Sequence, residues 1–451
     1  MLAGMHRRLL ALSAVLACNP ADTPEAGESE ESSGGASSGA GEAEYTYYRD
    51  VAPILASKCT SCHSAGNIAP FALESAAEAR MWAPALAAAA MQGTMPPWPP
   101  DPACNSYAHD RSLSDEQRAA LVGWAEAGAP EGDASDAAPA PEPPPAIDYD
   151  MQLQLPVAYT PTIAPDEYRC FVLDWPAEQR RFVTGLEVHP GEPAIVHHLI
   201  AFIAPPAEVA TFTELDAADP DPGYLCYGGP GGGRPGWLGA WVPGGAGGAL
   251  PEGTGIRVEP GSKIVVQMHY HTLPGAGPDR STLALRTAEA VEKEAFMLPF
   301  TNPKWISGEQ PMTIPAGAAA VEHAFELDMS AALPLLAPSA GLPSGTPLRV
   351  HALALHMHTL GVAGSITVAG PGGDRCGLTI PRWDFNWQGN YRLREPMRLV
   401  AGDRVRLACE WDNSPAHQPV VDGAPQAPRE VQWGEGTGDE MCLGTVLVAA
   451  D

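Results

Sequence analysis

The stretch VHALALHMHTLG, residues 350–361, alternates large and small side chains around a histidine pair. On a β-strand this alternation places His356 and His358 on one face together with two alanines, and places the leucines and Met357 on the other face. The large side chains can then pack a core, while the alanines leave space beside the histidines. Two histidines at i and i+2 of a strand can converge on one metal ion. The stretch therefore predicts a metal-binding strand in an all-β region.

A second stretch, PAIVHHLIAFIA (193–204), carries the adjacent pair His197 and His198. Both of its faces are apolar, which is typical of a strand buried on both sides. Adjacent side chains of a regular strand point to opposite faces. For both histidines to bind one metal, the backbone has to bulge or end at this point, as it often does near active sites.

The stretch SKIVVQMHYHTL (262–273) places His269 and His271 on the same strand face. Spacing alone leaves open which of the two is a ligand. Near the end of the chain, the sequence GDEMC contains Met441. Imidazole combined with a soft thioether is a ligand set that favours copper, and Cu(I) in particular, over hard cations. These clusters therefore predict copper sites.

A second redox signature lies upstream. Cys59-x-x-Cys62-His63 has the pattern of a c-type haem attachment site. Met95 follows in the sequence TMPPW, where adjacent prolines hold the thioether in place. Methionine opposite histidine raises the potential of a haem. We therefore expect covalent haem c at Cys59 and Cys62, with His63 and Met95 as its axial ligands.

Helices are predicted around this haem motif. Residues 76–91 are rich in alanine, the strongest helix former, and are interrupted by a proline. Met81 and Met91 lie on this helix-prone sequence and are expected to pack in a core. Ser114 and Gln117 have the capping-box spacing that opens a further helix. The whole segment resembles class-I-like cytochrome c domains, and this resemblance implies a haem that serves electron transfer.

The first 18 residues contain two arginines followed by a short apolar run, which is typical of a secretory signal and too short to span a bilayer. The run ends in VLAC, which resembles a bacterial lipobox. The resemblance implies cleavage before Cys18 and attachment of lipid to its sulfur, and Asn19 points to the outer membrane. The alternative is an ordinary signal peptide with an incidental cysteine. We expect an exported protein, lipid-anchored to the outer membrane or cell surface, on its outer or periplasmic side.

Composition sets further limits. The 451 residues are enough for two or three domains, and the formal net charge of −28 argues against nucleic acid as a partner. Residues 19–44 are mostly Gly, Ser and Glu and predict a flexible tether. Residues 136–150 are rich in Pro and Ala and predict a linker that joins domains without fixing how they dock.

Nine cysteines are present. One is assigned to lipid and two to haem. In an exported protein the remaining six suggest disulfides, with 15 connectivities open; they are Cys104, Cys170, Cys226, Cys376, Cys409 and Cys442.

Taken together, the β-region motifs resemble the copper type II, ascorbate-dependent monooxygenases, the family of peptidylglycine α-hydroxylating and dopamine β-monooxygenases. The paired histidines, QMHYHT, HMHTLG and GDEMC match four motifs of that family in order. The family fold is two β-sandwich domains, with one copper in each, facing each other across a solvent-filled cleft. The resemblance implies such domains over 151–297 and 298–451. The predicted small all-α haem domain, which resembles cytochrome c, covers 45–135.

The resemblance also implies roles for individual residues. The ligands implied for the first copper are His197, His198 and His269. The ligands implied for the second copper, where O2 and substrate bind, are His356, His358 and Met441. Tyr168, with Cys170, matches the family's Tyr-x-Cys segment, and Gln267 matches a family glutamine beside the third histidine. The disulfides implied are Cys170–Cys226 and Cys409–Cys442, and Cys104 and Cys376 stay unassigned.

One departure concerns the substrate. Ala354 stands where the peptidylglycine enzyme carries the arginine that holds its substrate's carboxylate, and the segment after Met441 lacks a tyrosine of that enzyme. A site without this cation loses a charge-assisted contact. Peptidylglycine is therefore not the expected substrate.

The leading prediction is a copper monooxygenase that hydroxylates an aliphatic or benzylic C–H bond of a small organic molecule with O2. Each turnover needs two electrons from an external donor, and the fused haem is expected to deliver them. One alternative is a copper–haem electron-transfer or copper-handling lipoprotein without C–H chemistry. Another is a structural or adhesion β-sandwich with degenerate sites, which the presence of all six ligands disfavours.

Overall fold

A computed structural model defines the described part of the chain, which comprises residues 44–138, 147–233, 235–243, 247–272, 275, 277–371, 373–421, 424–434, 436 and 438–451. The predicted signal with Cys18, nearly all of the tether and the centre of the predicted linker lie outside these residues. Within the described residues, no helix is long and apolar enough to cross a membrane.

The first part of the described chain is helical, and short helices recur between the later strands. The α-helices are α1 Ala52–Lys58, α2 Ala76–Met81, α3 Ala83–Gln92, α4 Asp115–Glu126, α5 Val209–Ala218, α6 Pro303–Ser307 and α7 Met329–Leu336. Shorter turns of π- or 3-10 helix are Tyr47–Val51, Ala134–Asp136 and Pro338–Ala340.

Strands dominate after residue 150. They are β1 Met151–Gln154, β2 Asp166–Asp174, β3 Arg181–His189, β4 Val196–Ala204, β5 Tyr224–Leu225, β6 Gly236–Trp241, β7 Gly248–Ala249, β8 Thr254–Val258, β9 Lys263–His271, β10 Thr282–Ala288, β11 Lys293–Phe300, β12 Val321–Leu327, β13 Leu348–His356, β14 Gly361–Ala369, β15 Arg375–Ile380, β16 Tyr391–Leu399, β17 Arg404–Trp411, β18 Val420–Val421, β19 Ala424–Pro425 and β20 Leu443–Ala450. The expected all-β character of this region is confirmed.

The helices begin where the local sequence predicts. At the start of α4, Ser114 accepts from the backbone N–H of Gln117, and the Gln117 side chain accepts from Ser114 in return, which completes the capping box. The alanine-rich stretch divides into α2 and α3, with Pro84 in the first turn of α3. The expectation that Met81 and Met91 pack in a core is wrong, since they are 73% and 60% exposed. These helices bury their alanines instead, which allows α3 to pack closely against α4.

One large sheet runs through the β region. Its strands include the order β2-β9-β4-β6-β11-β20-β13-β16, so β11 pairs with β6 on one side and with β20 on the other. A second sheet has the order β12-β17-β14-β15. The predicted boundary between 297 and 298 falls inside β11. This strand contributes to two large hydrophobic cores, with Ala295 in one and Phe296, Leu298 and Phe300 in the other.

The segment that follows α3 is attached to the edge of the β region. Tyr107 forms an antiparallel bridge with Leu393 of β16. Its ring is buried in the core of the later strands, and its hydroxyl donates to the backbone oxygen of Gly377 at 3.0 Å. The structure thus differs from the expectation that the domains are joined without a fixed docking arrangement, because backbone pairing and burial hold this segment on the strands.

A disulfide reinforces this attachment. Cys104 of the docked segment pairs with Cys376 of β15, which accounts for the two cysteines left unassigned by the sequence. The described residues contain two further disulfides, Cys170–Cys226 and Cys409–Cys442, which are the pairs that the family resemblance implies. Only the first of the three joins the helical part to the sheets.

Replacing both Cys104 and Cys376 with serine is expected to lower the free energy of unfolding by about 2–4 kcal/mol, because the cross-link restricts the unfolded chain. The amide of Ala108, which donates to Arg392 O at 2.8 Å, should also exchange faster with solvent in hydrogen-exchange mass spectrometry. The amide of Val266, in the centre of β9, serves as the control and should keep its protection. Unchanged exchange at Ala108 would show that the disulfide does not hold this segment.

Candidate metal centres and their cavities

Three histidine rings converge at the ends of β4 and β9. The Nδ1 atom of His197 lies 3.1 Å from His269 Nδ1 and 3.4 Å from His198 Nδ1. The Nδ1 atoms of His198 and His269 are also 3.1 Å apart. Three nitrogens that each lie about 2.0–2.1 Å from one metal ion are separated by roughly 3.3–3.6 Å. The triangle is therefore close to the size that one metal ion requires, and the three residues fit a metal site.

An irregularity in β4 brings the two adjacent histidines to the same site. The register of β4 against β9 shifts between Val196 and His198, so that His197 occupies a bulge. His198 itself is paired directly with His269. The expectation of a bulge at this pair is confirmed, and it explains how neighbouring side chains reach one point.

Asp166 orients the third histidine. Its Oδ1 atom accepts from His269 Nε2 at 2.9 Å and from His271 Nδ1 at 3.0 Å. With its proton on Nε2, His269 turns a bare Nδ1 toward the cluster, as in carboxylate–histidine–metal arrangements. Burial opposes ionisation of Asp166, but the two hydrogen bonds outweigh it and lower the pKa of the carboxyl to about 2. His269 thus lies in the triangle, while His271 holds the carboxylate.

Tyr168 and Gln267, which match family positions, lie close to His269. The Tyr168 ring stacks on the His269 ring with centroids 4.1 Å apart. Gln267 is buried, and its Nε2 atom donates to Cys226 O at 2.8 Å. Neither side chain is part of the nitrogen triangle. Their contacts hold the His269 ring and the neighbouring loop in place.

The second candidate centre is built from β13 and the segment before β20. His356 Nδ1 is hydrogen-bonded to Gln388 Oε1, and His358 Nδ1 to Asp439 O at 3.0 Å. Each ring therefore has Nε2 left for a ligand role. Met441 is buried, and it borders the same small cavity as both histidines. Two imidazoles and one thioether form the donor set, which fits Cu(I).

A buried carboxylate organises this second centre. Glu440 accepts hydrogen bonds from the backbone N–H groups of His358 (3.0 Å), Leu360 (2.7 Å) and Met441 (3.3 Å), and from the Trp411 indole (2.8 Å). Burial raises the pKa of Glu440 to about 7, and these donors oppose the rise. The carboxylate therefore holds the segment around His358 close to the segment that contains Met441.

The two centres share a cavity of about 140 Å³. His198 of the first centre borders it, as do His356, His358 and Met441 of the second. The cavity is lined by residues of β4, β6, β11, β20 and β13, which are consecutive in the large sheet. The two centres thus lie along the same sheet and face the same space.

The predicted haem residues border a second and much larger cavity of about 1310 Å³. Cys59, Cys62, His63 and Met95 all line it, together with apolar residues such as Phe71. His63 Nδ1 is hydrogen-bonded to Phe71 O at 3.1 Å, which leaves Nε2 for a ligand role. The two cysteines are not paired with each other. These features fit a covalently attached haem.

The large cavity also reaches the first candidate metal centre. His197, His269 and Asp166 line it on the side of the strands. Tyr227 and Phe385 border both the large and the small cavity. The three groups of predicted site residues therefore occupy adjoining spaces.

Sequence reasoning missed three residues that hold the candidate ligands. Asp166 could have been found from strand pairing, because β2 places it opposite His271 in the antiparallel register. Gln388 lies in a loop. Glu440 is part of the GDEMC motif, but no role for it follows from the sequence alone. Nothing in the local sequence around Gln388 indicates that it contacts His356.

Comparisons with known proteins add little. No family model and no curated protein matches the chain. Among solved structures, the VP2 subviral particle of infectious bursal disease virus is 10% identical, with a TM-score of 0.17 over 69% of this chain and 74% of that chain. A structure of the Gx strain of the same virus is also 10% identical, with a TM-score of 0.16 over 69% of this chain and 75% of that chain. Similarity this low carries no argument about fold or function.

Replacing Asp166 with asparagine is expected to weaken the binding of a metal ion such as Cu(I) at the first candidate centre by about 10–100-fold, because the carboxylate that orients His269 is lost. Competition with a Cu(I) chelator measures this change. Asp174→Asn is the matched control at the other end of β2, where the side chain is largely exposed and pairs with Lys263. Equal affinities for the two variants would contradict the role of Asp166.

Proposed function

We propose that this chain is a copper-dependent monooxygenase that hydroxylates a C–H bond of a small organic molecule with O2. The observation that carries the proposal is the shared cavity between two centres of different donor chemistry. One centre offers three imidazoles, and the other offers two imidazoles and a thioether. Two unlike metal sites bordering one small cavity suit a reaction that needs both electron supply and substrate binding.

Each residue has a defined part in this proposal. His197, His198 and His269 hold the first copper, and His356, His358 and Met441 hold the second. Bound copper supplies one-electron redox chemistry and activation of O2. Asp166 and Gln388 fix the ring orientations of His269 and His356. Glu440 positions the backbone of the second centre.

We further propose that haem c is attached at Cys59 and Cys62, with His63 and Met95 as axial ligands. When bound, this haem would pass electrons one at a time from an external donor toward the copper centres, and two such transfers are needed for each oxygen atom incorporated. The support is that these four residues line a cavity that His197 and His269 also border. The export of the chain and its lipid anchoring at Cys18, to the outer membrane or cell surface, belong to the same proposal.

A second candidate is a copper–haem electron-transfer or copper-handling protein without hydroxylation. The shared large cavity favours it, because electron transfer between a haem and a copper centre that border one cavity needs no substrate. Only product formation distinguishes the two candidates, because both require the same cofactors.

The test compares Met441→Leu with Met297→Leu, since both methionines border the small cavity but only Met441 is a proposed ligand. Both variants should bind two coppers, but only Met441→Leu should lose the copper–sulfur signal in X-ray absorption. Reduced native protein given a small-molecule extract and ¹⁸O2 should form a product with one ¹⁸O atom, and Met441→Leu should form at least ~10-fold less, because it lacks the soft ligand. Absence of labelled product from copper-loaded native protein would favour the second candidate.

A separate prediction concerns the haem. In protein matured with the cytochrome c machinery, a pyridine haemochrome assay should detect haem with two thioether links. Met95→Ala should change the visible spectrum, because the iron loses its sixth ligand. Met91→Ala is the control, since Met91 is exposed and does not line the cavity. An unchanged spectrum in Met95→Ala would reject Met95 as a ligand.

A further inference from the structure

The small cavity between the two centres has the size of a single ring. Its volume of about 140 Å³ is close to that of an engineered cavity of about 150 Å³ that takes up benzene. A whole peptide or nucleotide does not fit within this volume. The part of a substrate that reaches both centres is therefore about as large as a six-membered ring.

The walls of this cavity are largely apolar. Trp237, Trp241 and Met297 come from β6 and β11. Ala354 of β13 and Thr445 of β20 lie directly opposite each other in the antiparallel register. Because both side chains are small, they leave open the space that the aromatic walls enclose.

No Asp, Glu, Lys or Arg is found among the described residues that border the small cavity. In the copper-free chain, a carboxylate or ammonium group would lose its hydration there without gaining a side chain of opposite charge, which is strongly unfavourable. Bound copper would add positive charge and disfavour an ammonium group further. An uncharged ring would lose little hydration free energy and would gain contacts with the tryptophans. Size and charge therefore select the same class of molecule.

We propose that the substrate places an uncharged aromatic or cycloaliphatic ring in this cavity, and that Ala354 and Thr445 set this specificity. The inference rests on the function proposed above, because it names the substrate class of the same site. Ala354 and Thr445 act as positioning residues through the space they leave. Any charged group of the substrate lies outside the cavity.

Ring binding is tested on the full-length chain after copper has been removed by chelation, so that binding does not depend on redox chemistry. The probes are toluene, benzoate and benzylamine, which share a ring and differ in charge. Binding is followed by tryptophan fluorescence and by ligand-observed NMR. Toluene should bind, and the two charged probes should bind on the order of 100-fold more weakly, because burial of an unpaired charge is costly.

Variants locate the bound ring. Ala354→Leu and, independently, Thr445→Leu should each reduce the affinity for toluene at least ~10-fold, because the larger side chain fills the cavity. Ala401→Leu is the control, because Ala401 is exposed in a turn. Ala354→Arg should reverse the preference and favour benzoate, because it adds a guanidinium group. Circular dichroism and copper binding at the first centre show whether each variant is folded.

Three results would overturn the inference. They are equal binding of charged and neutral probes, toluene binding that survives both leucine variants, and no toluene binding by the folded native chain. The proposed function is tested separately. It fails if the protein holds fewer than two copper ions after loading, or if the loaded protein forms no labelled product. A chain that forms product but does not bind toluene keeps the function and loses only the substrate class.

Discussion

The pairing of β11 with β20 is the constraint on which the rest of the structure depends. β11 is bonded to β6 on its other edge, so strands from both halves of the chain form one sheet. His198 on β4 and His356 on β13 therefore border the same cavity. In the family that the motifs resemble, two domains face each other across a solvent-filled cleft. Here a continuous sheet fixes the spacing between the two candidate centres.

Glu440 provides a second constraint, which acts within one centre. A buried carboxylate without partners is costly, but four donors converge on this one. They come from the residues around His358, from Trp411 and from Met441. The same contacts that satisfy the carboxylate therefore hold two segments distant in sequence at a fixed separation. This positioning places Met441 and the two histidines around a common space.

The sequence predicted whatever depends on local pattern. Parity placed the leucines of β13 in the core, the capping box set the start of α4, and the adjacent histidines required the bulge that β4 contains. Contacts that depend on distant segments could not be predicted in this way. Cys104 and Cys376 are 272 positions apart, and Gln388 reaches His356 from a loop. Strand pairing alone would have revealed Asp166, because its register with His271 follows once β2 and β9 are known to be neighbours.

The attachment of the helical segment to the strands limits the role of the predicted linker in this chain. A flexible linker raises the local concentration of a domain but leaves its orientation open. In this chain, Tyr107 is buried in the core of the later strands, and Cys104 is bonded to β15. These contacts hold the helical segment in place, and its residues Cys59, Cys62 and Met95 line the same large cavity as the first candidate metal centre. The relative position of the proposed redox centres therefore follows from packing and a disulfide, and the composition of the linker has little influence on it.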